Sequence, residues 1–149
     1  FLFDGFIPSK AVAKQKYFQT LLYEGRTTVV FESTHRIENS LIMLTEIFPE
    51  ARQIFIAREI SKKFESHFLG SVIGCLNWLN ANPYNKKGEF VLVIEGCEAS
   101  IIETRQREIG LLIIDKLKST MSAKDAVKMA SEITGAKKNA LYEAFLAQG

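Results

Sequence analysis

Two stretches of this chain gather side chains able to hold an anion, bind a ligand or move a proton. FESTHR, Phe31 to Arg36, follows the β-branched run TTVV and sets Glu32, Ser33, Thr34, His35 and Arg36 side by side. AREISKKFE, Ala57 to Glu65, follows QIFI and holds Arg58, Glu59, Lys62, Lys63 and Glu65, the densest charged cluster in the chain. An apolar run that ends abruptly in charged and hydroxyl residues marks the carboxyl edge of a sheet, where open α/β sheets bind ligands. His35 and Arg36 fall where a helix begins, and free N–H groups with the helix dipole favour an anion there. Arg36 either meets such an anion or pairs with Glu32 or Glu59 to brace the fold. A lone histidine is more often a capping or hydrogen-bonding residue, so His35 is a poor general base. Lysine in a desolvated site loses pKa and can help deprotonate a hydroxyl. Arg58 and Lys62 are therefore the catalytic candidates, although no base is assigned, and the alternative for both is an exposed, salt-bridged turn.

These clusters need strands that end together and helices that follow. Phe1 to Phe6 reads as a short strand closed by Pro8, and Ser9 is the expected cap of a helix burying Val12, Phe18, Leu21 and Leu22. Lys10, Lys14 and Lys16 are left near its solvent side, either a solvated face or a phosphate-contacting patch at the mouth of a site. Gly25 is expected to end that helix, and Thr27 to Phe31 is a strand. Ser33 or Thr34 caps a helix with Ile37, Leu41, Leu44 and Phe48 on one face, stopped by Pro49. Gln53 to Ala57 is a strand whose unbroken apolar character predicts cover on both faces. Lys63 to Leu69 reads as an edge strand ended by Gly70. Val72, Cys75, Leu76 and Leu79 define another helix, with Trp78 at its rim. A turn at Asn82 to Asn85 and the segment from Lys86 to Glu89 lead into a buried strand, Phe90 to Ile94. Glu89 is a possible brace for Arg58 from a neighbouring strand.

After Cys97 the strand runs stop and helical patterns take over. Ile109, Leu112, Ile113 and Leu117 mark the first. Ser122 and Asp125 stand in capping-box relation at the start of the second, which runs through Ala126, Val127, Ala130 and Ile133 to Gly135. The third starts near Lys138 and carries Leu141, Ala144 and Phe145. These are helix-turn-helix proportions, with Lys137, Lys138 and Asn139 leading the last helix in a position suited to phosphate. A packed helical hairpin is the alternative. The expected organisation is an α/β unit over residues 1–100 and a helical appendage over 101–149.

Composition sets outer limits. The 149 residues are 47% hydrophobic and 24% charged, ordinary for a globular chain. That length buries roughly two thirds of the unfolded surface. No apolar run approaches the ~20 residues that cross a bilayer. A net charge of +2 does not by itself argue for nucleic acid. Cys75 and Cys97 lie far apart without a CxxC, and the chain has two histidines, so no metal site is expected and the thiols read as buried in a reducing compartment. FLFDGF, with neither an initiator Met nor a signal-peptide pattern, reads as the interior of a strand and predicts that the chain is part of a longer protein.

FLFDGFIP, FESTHR, AREISKKFE, KKGEFVLVIEG and TGAKKNALY occur in that order along the whole chain. Together they resemble the carboxyl-terminal half of the bacterial small-subunit ribosomal RNA ribose 2′-O-methyltransferases, a family within the tetrapyrrole methylase superfamily. The resemblance implies the second lobe of a two-lobe enzyme, a mixed sheet flanked by helices, with a small helical tail. It implies S-adenosylmethionine held between the lobes and methyl transfer to a cytidine ribose in the decoding region. The Gly/Pro-rich cofactor loop of the first lobe has no counterpart here, so stand-alone catalysis is not expected. By the same resemblance Phe31, Glu32 and Ala57 form the adenosine side of the cofactor pocket. From their charge and placement, His35, Arg36, Lys63, Lys137 and Lys138 are the expected RNA contacts, and Arg58 and Lys62 are expected to position RNA or cofactor. Small ribosomal subunits, the missing amino-terminal lobe and a second copy of the chain are the implied partners, and the cytoplasm is the implied location. The alternatives are a superfamily enzyme acting on a small metabolite and a non-catalytic nucleic-acid-binding module built on the tail.

Overall fold

Leu2–Phe6 forms β1, Ala11–Leu21 α1, Thr28–Ser33 β2, Ile37–Ile47 α2 and Gln53–Arg58 β3 in the computed structural model, which describes residues 1–147. Ser66–Ser71 is β4, Val72–Ala81 α3, and a 3-10 turn at Pro83–Lys86 leads to β5, Glu89–Ile94. Three helices follow, α4 at Ala99–Leu117, α5 at Ala123–Thr134 and α6 at Lys138–Leu146. Backbone contacts group the chain into Phe1–Cys97 and Glu98–Gly149. The expected division after residue 100 falls inside the first turn of α4.

The first unit is a five-stranded sheet of order β1-β2-β5-β3-β4. β1 runs parallel to β2, whereas β5 is antiparallel to both β2 and β3, and β4 is antiparallel to β3. It follows that β2 and β3 point the same way with β5 between them. Alternation along the strands then makes two unlike faces. Val30, Ile54, Ile56, Leu92 and Ile94 join Phe18, Leu41, Leu44, Cys75 and Leu79 from α1, α2 and α3 in one core. Val29, Phe31, Phe55, Val91 and Val93 occupy the other face and are half-buried, and no helix of this unit covers them. Cover on both faces of β3 is thus corrected: within this unit helices pack on one face only.

Several local expectations also change. Lys14, expected in solvent, is buried, whereas Val12 is 67% exposed. Lys14, Phe18 and Leu21 form the buried stripe of α1. Lys10 rather than Ser9 is its N-cap, without a side-chain bond, and Leu22 rather than Gly25 is its C-cap. Neither Ser33 nor Thr34 caps α2, whose N-cap is Arg36. The edge strand starts at Ser66, later than expected, and runs through Gly70. Ser71 then caps α3 by accepting from the Gly74 N–H. Both cysteines are buried free thiols, and burial raises Cys75 to about 11.

In the second unit Ile114, Ala126, Val127, Ala130, Ala136 and Leu141 form a separate core. Ser122 caps α5 through the Asp125 N–H, and Gly135, with φ 75°, ends it. Of the face expected for α4, Ile113 and Leu117 pack against this core, whereas Ile109 and Leu112 are 36% and 65% exposed and Gly110 and Ile114 take the buried positions. Gly110 permits the approach of α6, since a Cβ there would lie 2.6 Å from the Leu141 side chain. No helix among the described residues is long and apolar enough to cross a membrane.

Candidate functional site

Because β1, β2 and β3 run the same way, their carboxyl ends share one edge of the sheet with the starts of β5 and β4. Phe6, the segment from Glu32 to Arg36, the turn after Arg58 and the Gly88–Glu89 junction therefore lie together. Two cavities open at this edge, with Gly88 in the wall of both. Gly88 has φ 108°, and a Cβ there would meet the Glu59 side chain at 2.6 Å, so the shared wall requires glycine.

The first cavity, about 530 Å³, is lined by Phe6, Phe31 and Val91 on its apolar side and by Ser33, Thr34 and His35 on its polar side, and Glu32 borders it without exposing its carboxylate. Phe31 stands edge-on to Phe3 and Phe6, with ring centroids 5.2 and 5.5 Å away. Ala57 is opposite Val91 in the β3–β5 ladder and shares the face of Phe31. Glu32, one residue further along β2, points to the other face and is buried. Its carboxylate accepts from the Ser33 N–H at 2.8 Å and from Ser40 Oγ at 2.7 Å. It also pairs with Arg36 at 2.8 Å and with Lys14 at 3.6 Å. Lys14 donates in turn to Ser40 Oγ at 2.7 Å. Glu32 is thus a bracing group, with its acceptor capacity taken by the protein.

Arg36 is equally committed. Besides Glu32 it donates to Ser33 Oγ at 3.0 Å and to the Ile7 carbonyl at 3.2 Å, tying the end of β1 to that of β2. Of its two sequence readings, the structure realises the pairing with Glu32. Thr34 Oγ1 donates to the Gly88 carbonyl and accepts from the Gly88 N–H, fastening this turn to β5. His35 is left exposed at the mouth.

The turn after β3 is held by charge. Glu59 and Ser61 carry φ values of 54° and 61°, a strained backbone of the kind that persists where surrounding contacts over-determine it. Glu59 accepts from the Glu89 N–H at 2.8 Å, and Lys62 reaches both Glu59 at 3.1 Å and Glu89 at 3.0 Å. The Glu89 amide and then Lys62 hold the Glu59 carboxyl below its ordinary range. Hydrogen bonds to Glu89 and then Glu59 hold the Lys62 ammonium above its ordinary range, opposite to what a general base requires. Glu89 accordingly braces Lys62 and not Arg58. Arg58 is buried at the floor of the second cavity, about 580 Å³, and Lys63 lies over the Phe64 ring.

In the second unit Lys137 pairs with Glu103 at 3.1 Å and borders a cavity of about 320 Å³ with Arg107 and Gln106. Lys138 opens α6 and is exposed. No group of three or more histidine, cysteine, aspartate or glutamate side chains among the described residues is placed to hold a metal. Sequence reasoning missed Lys14, Ser40, Phe64 and Tyr84. The signal for Lys14 was present, since it lies four residues before Phe18 and seven before Leu21, on the stripe that packs.

Residues 113–149 match the family model described as the RsmI C-terminal HTH domain. Ribosomal RNA small subunit methyltransferase I of Pasteurella multocida is 36% identical over 146 residues, covering 96% of this chain and 50% of the relative. The protein of the same name from Escherichia coli O157:H7 is 33% identical over 148 residues, covering 99% of this chain and 51% of the relative. This chain thus spans about half the length of the curated relatives it matches. Among solved structures, the methyltransferase CobJ aligns with 65% of this chain and 42% of its own, at 14% identity and a TM-score of 0.46.

Proposed function

We propose that this chain, a homologue of ribosomal RNA small subunit methyltransferase I across nearly its whole length, works as the carboxyl-terminal half of such an enzyme. The reaction is transfer of a methyl group from S-adenosylmethionine to the ribose 2′-oxygen of a cytidine in small-subunit ribosomal RNA. The match of the chain from end to end to curated relatives carries the reading, and the cavity beside Phe31 supports it.

S-adenosylmethionine, when bound, supplies an electrophilic methyl on a sulfonium. The residues present fit its adenosine part: a cavity of about 530 Å³ has an aromatic and aliphatic wall facing a polar one, the usual form of a small-molecule site. Phe31, backed by Phe3 and Phe6, bounds the apolar side with Val91, while the small Ala57, paired to Val91 in the sheet, lies buried behind this wall rather than in its lining. Glu32 acts as a positioning residue that sets the Ser33–Arg36 turn, and polar contacts to the ligand come from that turn's backbone and from His35. Lys62, which keeps its proton, serves as a fixed positive charge. RNA phosphates meet His35, Lys63, Lys137 and Lys138, all exposed. The amino-terminal half covers the open sheet face, and the assembled enzyme works on small subunits in the cytoplasm, with a second copy as a further partner.

The test is transfer of labelled methyl from S-adenosylmethionine to small subunits that lack their own ribose methylation. Transfer is expected from the chain joined to its amino-terminal half and not from this chain alone. Absence of transfer by the joined protein would overturn the reading.

A further inference from the structure

The second cavity at the sheet edge is lined by Arg58, Glu59, Phe64, Tyr84, Lys87 and Gly88. Arg58 is 8% exposed, yet no carboxylate pairs with it among the described residues. It donates one hydrogen bond, from Nη1 to the Phe64 carbonyl at 3.2 Å, and its Nε has no partner. Ser66 Oγ, opposite Arg58 in the β3–β4 ladder, is likewise buried and unpartnered. The adjacent Glu59 carboxylate lines the same cavity and feels the Arg58 charge, but its hydrogen bonds go to Lys62 and the Glu89 N–H, so Arg58 has no direct ion pair. Burying such a charge is costly, and an arriving anion on the guanidinium offsets that cost. The upper walls are aromatic and remain in water: Phe64 is 67% and Tyr84 69% exposed. Each ring carries a lysine, Lys63 Nζ 5.6 Å from the Phe64 centroid and Lys87 Nζ 5.3 Å from that of Tyr84. Exposed rings beside cations, above an arginine donor, are the arrangement that takes an unpaired nucleotide, with the base against a ring and the phosphate on the positive charge.

We propose that this cavity holds one unpaired nucleotide of the RNA substrate, its base against Tyr84 or Phe64 and its phosphate on Arg58, next to and separate from the cavity beside Phe31. The proposal rests on the RNA methyltransferase reading and adds a substrate subsite to it. Gly88, between the two cavities, keeps the nucleotide close to the methyl donor while Thr34 and Glu59 fasten the dividing wall on either side.

The experiment compares methyl transfer by the two-half protein with its Tyr84→Ala, Phe64→Ala and Tyr84→Phe variants at varied small-subunit and S-adenosylmethionine concentrations. Both rings are exposed, so these changes leave the fold intact. Arg58→Gln is included with a melting curve to separate folding from binding. Tyr84→Ala or Phe64→Ala is expected to raise KM for the small subunit about tenfold, as loss of one base stack does, with KM for the methyl donor unchanged and Tyr84→Phe like the parent. Active parent protein with both alanine variants within twofold of it would overturn the subsite and leave the enzyme reading standing. Inactive parent protein would overturn both. Equal competition by poly-glutamate and by a single-stranded RNA of the same charge, at a Tyr84-sensitive site, would assign the cavity to an acidic peptide and overturn the nucleotide.

Discussion

Lys14, Arg36, Ser40 and the Ser33 amide converge on the carboxylate of Glu32, a buried group that joins β2 to both α1 and α2. Removing one member of a buried ion cluster leaves the others unpaired, at a cost of about 3–5 kcal/mol. Glu32→Ala should therefore lower unfolding free energy by about that amount in urea titrations. Lys14→Met should cost less, because Arg36, Ser40 and the Ser33 amide still satisfy the carboxylate and the methionine fills the same space. Equal losses would mean that Lys14, and not Arg36, holds the centre of the cluster. Loss of fold in Glu32→Ala would also remove the turn that lines the cavity beside Phe31, so the ordering of the two variants carries the test.

At the scale of elements, the end of β5 is fitted closely to the connection between α1 and β2. The Cys97 N–H donates to the Glu24 carbonyl at 2.7 Å, and a Cβ at Gly96 would run into the Gly25 carbonyl. Backbone against backbone has no flexible side chain to yield. Gly96→Ala should thus destabilise by about 2–3 kcal/mol, seen as a lower urea midpoint with an unchanged slope. Retention of the parent midpoint would show that this connection moves freely. Nearby, Arg26 holds Glu24 bidentately and draws its carboxyl down to about 2, while Arg52 donates to the carbonyls of Leu22 and Glu95. These contacts tie the connection between α1 and β2 to the end of β5 at the edge of the sheet opposite the cavities.

At the scale of the whole molecule, the sheet of the first unit has one face packed by α1, α2 and α3 and another that presents Phe3, Phe31, Phe55, Val91, Val93 and Leu69. Phe3 and Leu69, toward its two edges, are 54% and 64% exposed. Contiguous apolar area of this kind marks an interaction surface. Under the proposed function, Leu69→Asp should leave the chain's own unfolding free energy within about 1 kcal/mol while abolishing association with the proposed amino-terminal half supplied separately, as read by light scattering. Persistent association with that half, or loss of a homodimer instead, would assign the face to another partner.

The two chemical clusters, the mixed α/β class and the helix-turn-helix proportions of the tail were legible from residue order alone, because strand ends, caps and helical stripes are local. The Ser122 cap of α5 and the burial of Ala126, Val127 and Ala130 needed nothing beyond spacing, although Ile133, on the same expected pattern, is 64% exposed. Other features were decided by distant contacts. Lys14 is buried because Glu32 and Ser40, far along the chain, receive its charge, and spacing alone cannot show that a lysine on a packed stripe has found an acid. Phe31 and Glu32 are neighbours in sequence but face opposite sides of the sheet, so one remains available to a ligand and the other becomes a brace. The cavity at Arg58 exists because β3, the Pro83–Lys86 turn and the Gly88 junction meet at one edge. Chain order determined which chemistry the protein carries, whereas strand direction and register, set by long-range pairing, determined which of those groups are free to use it.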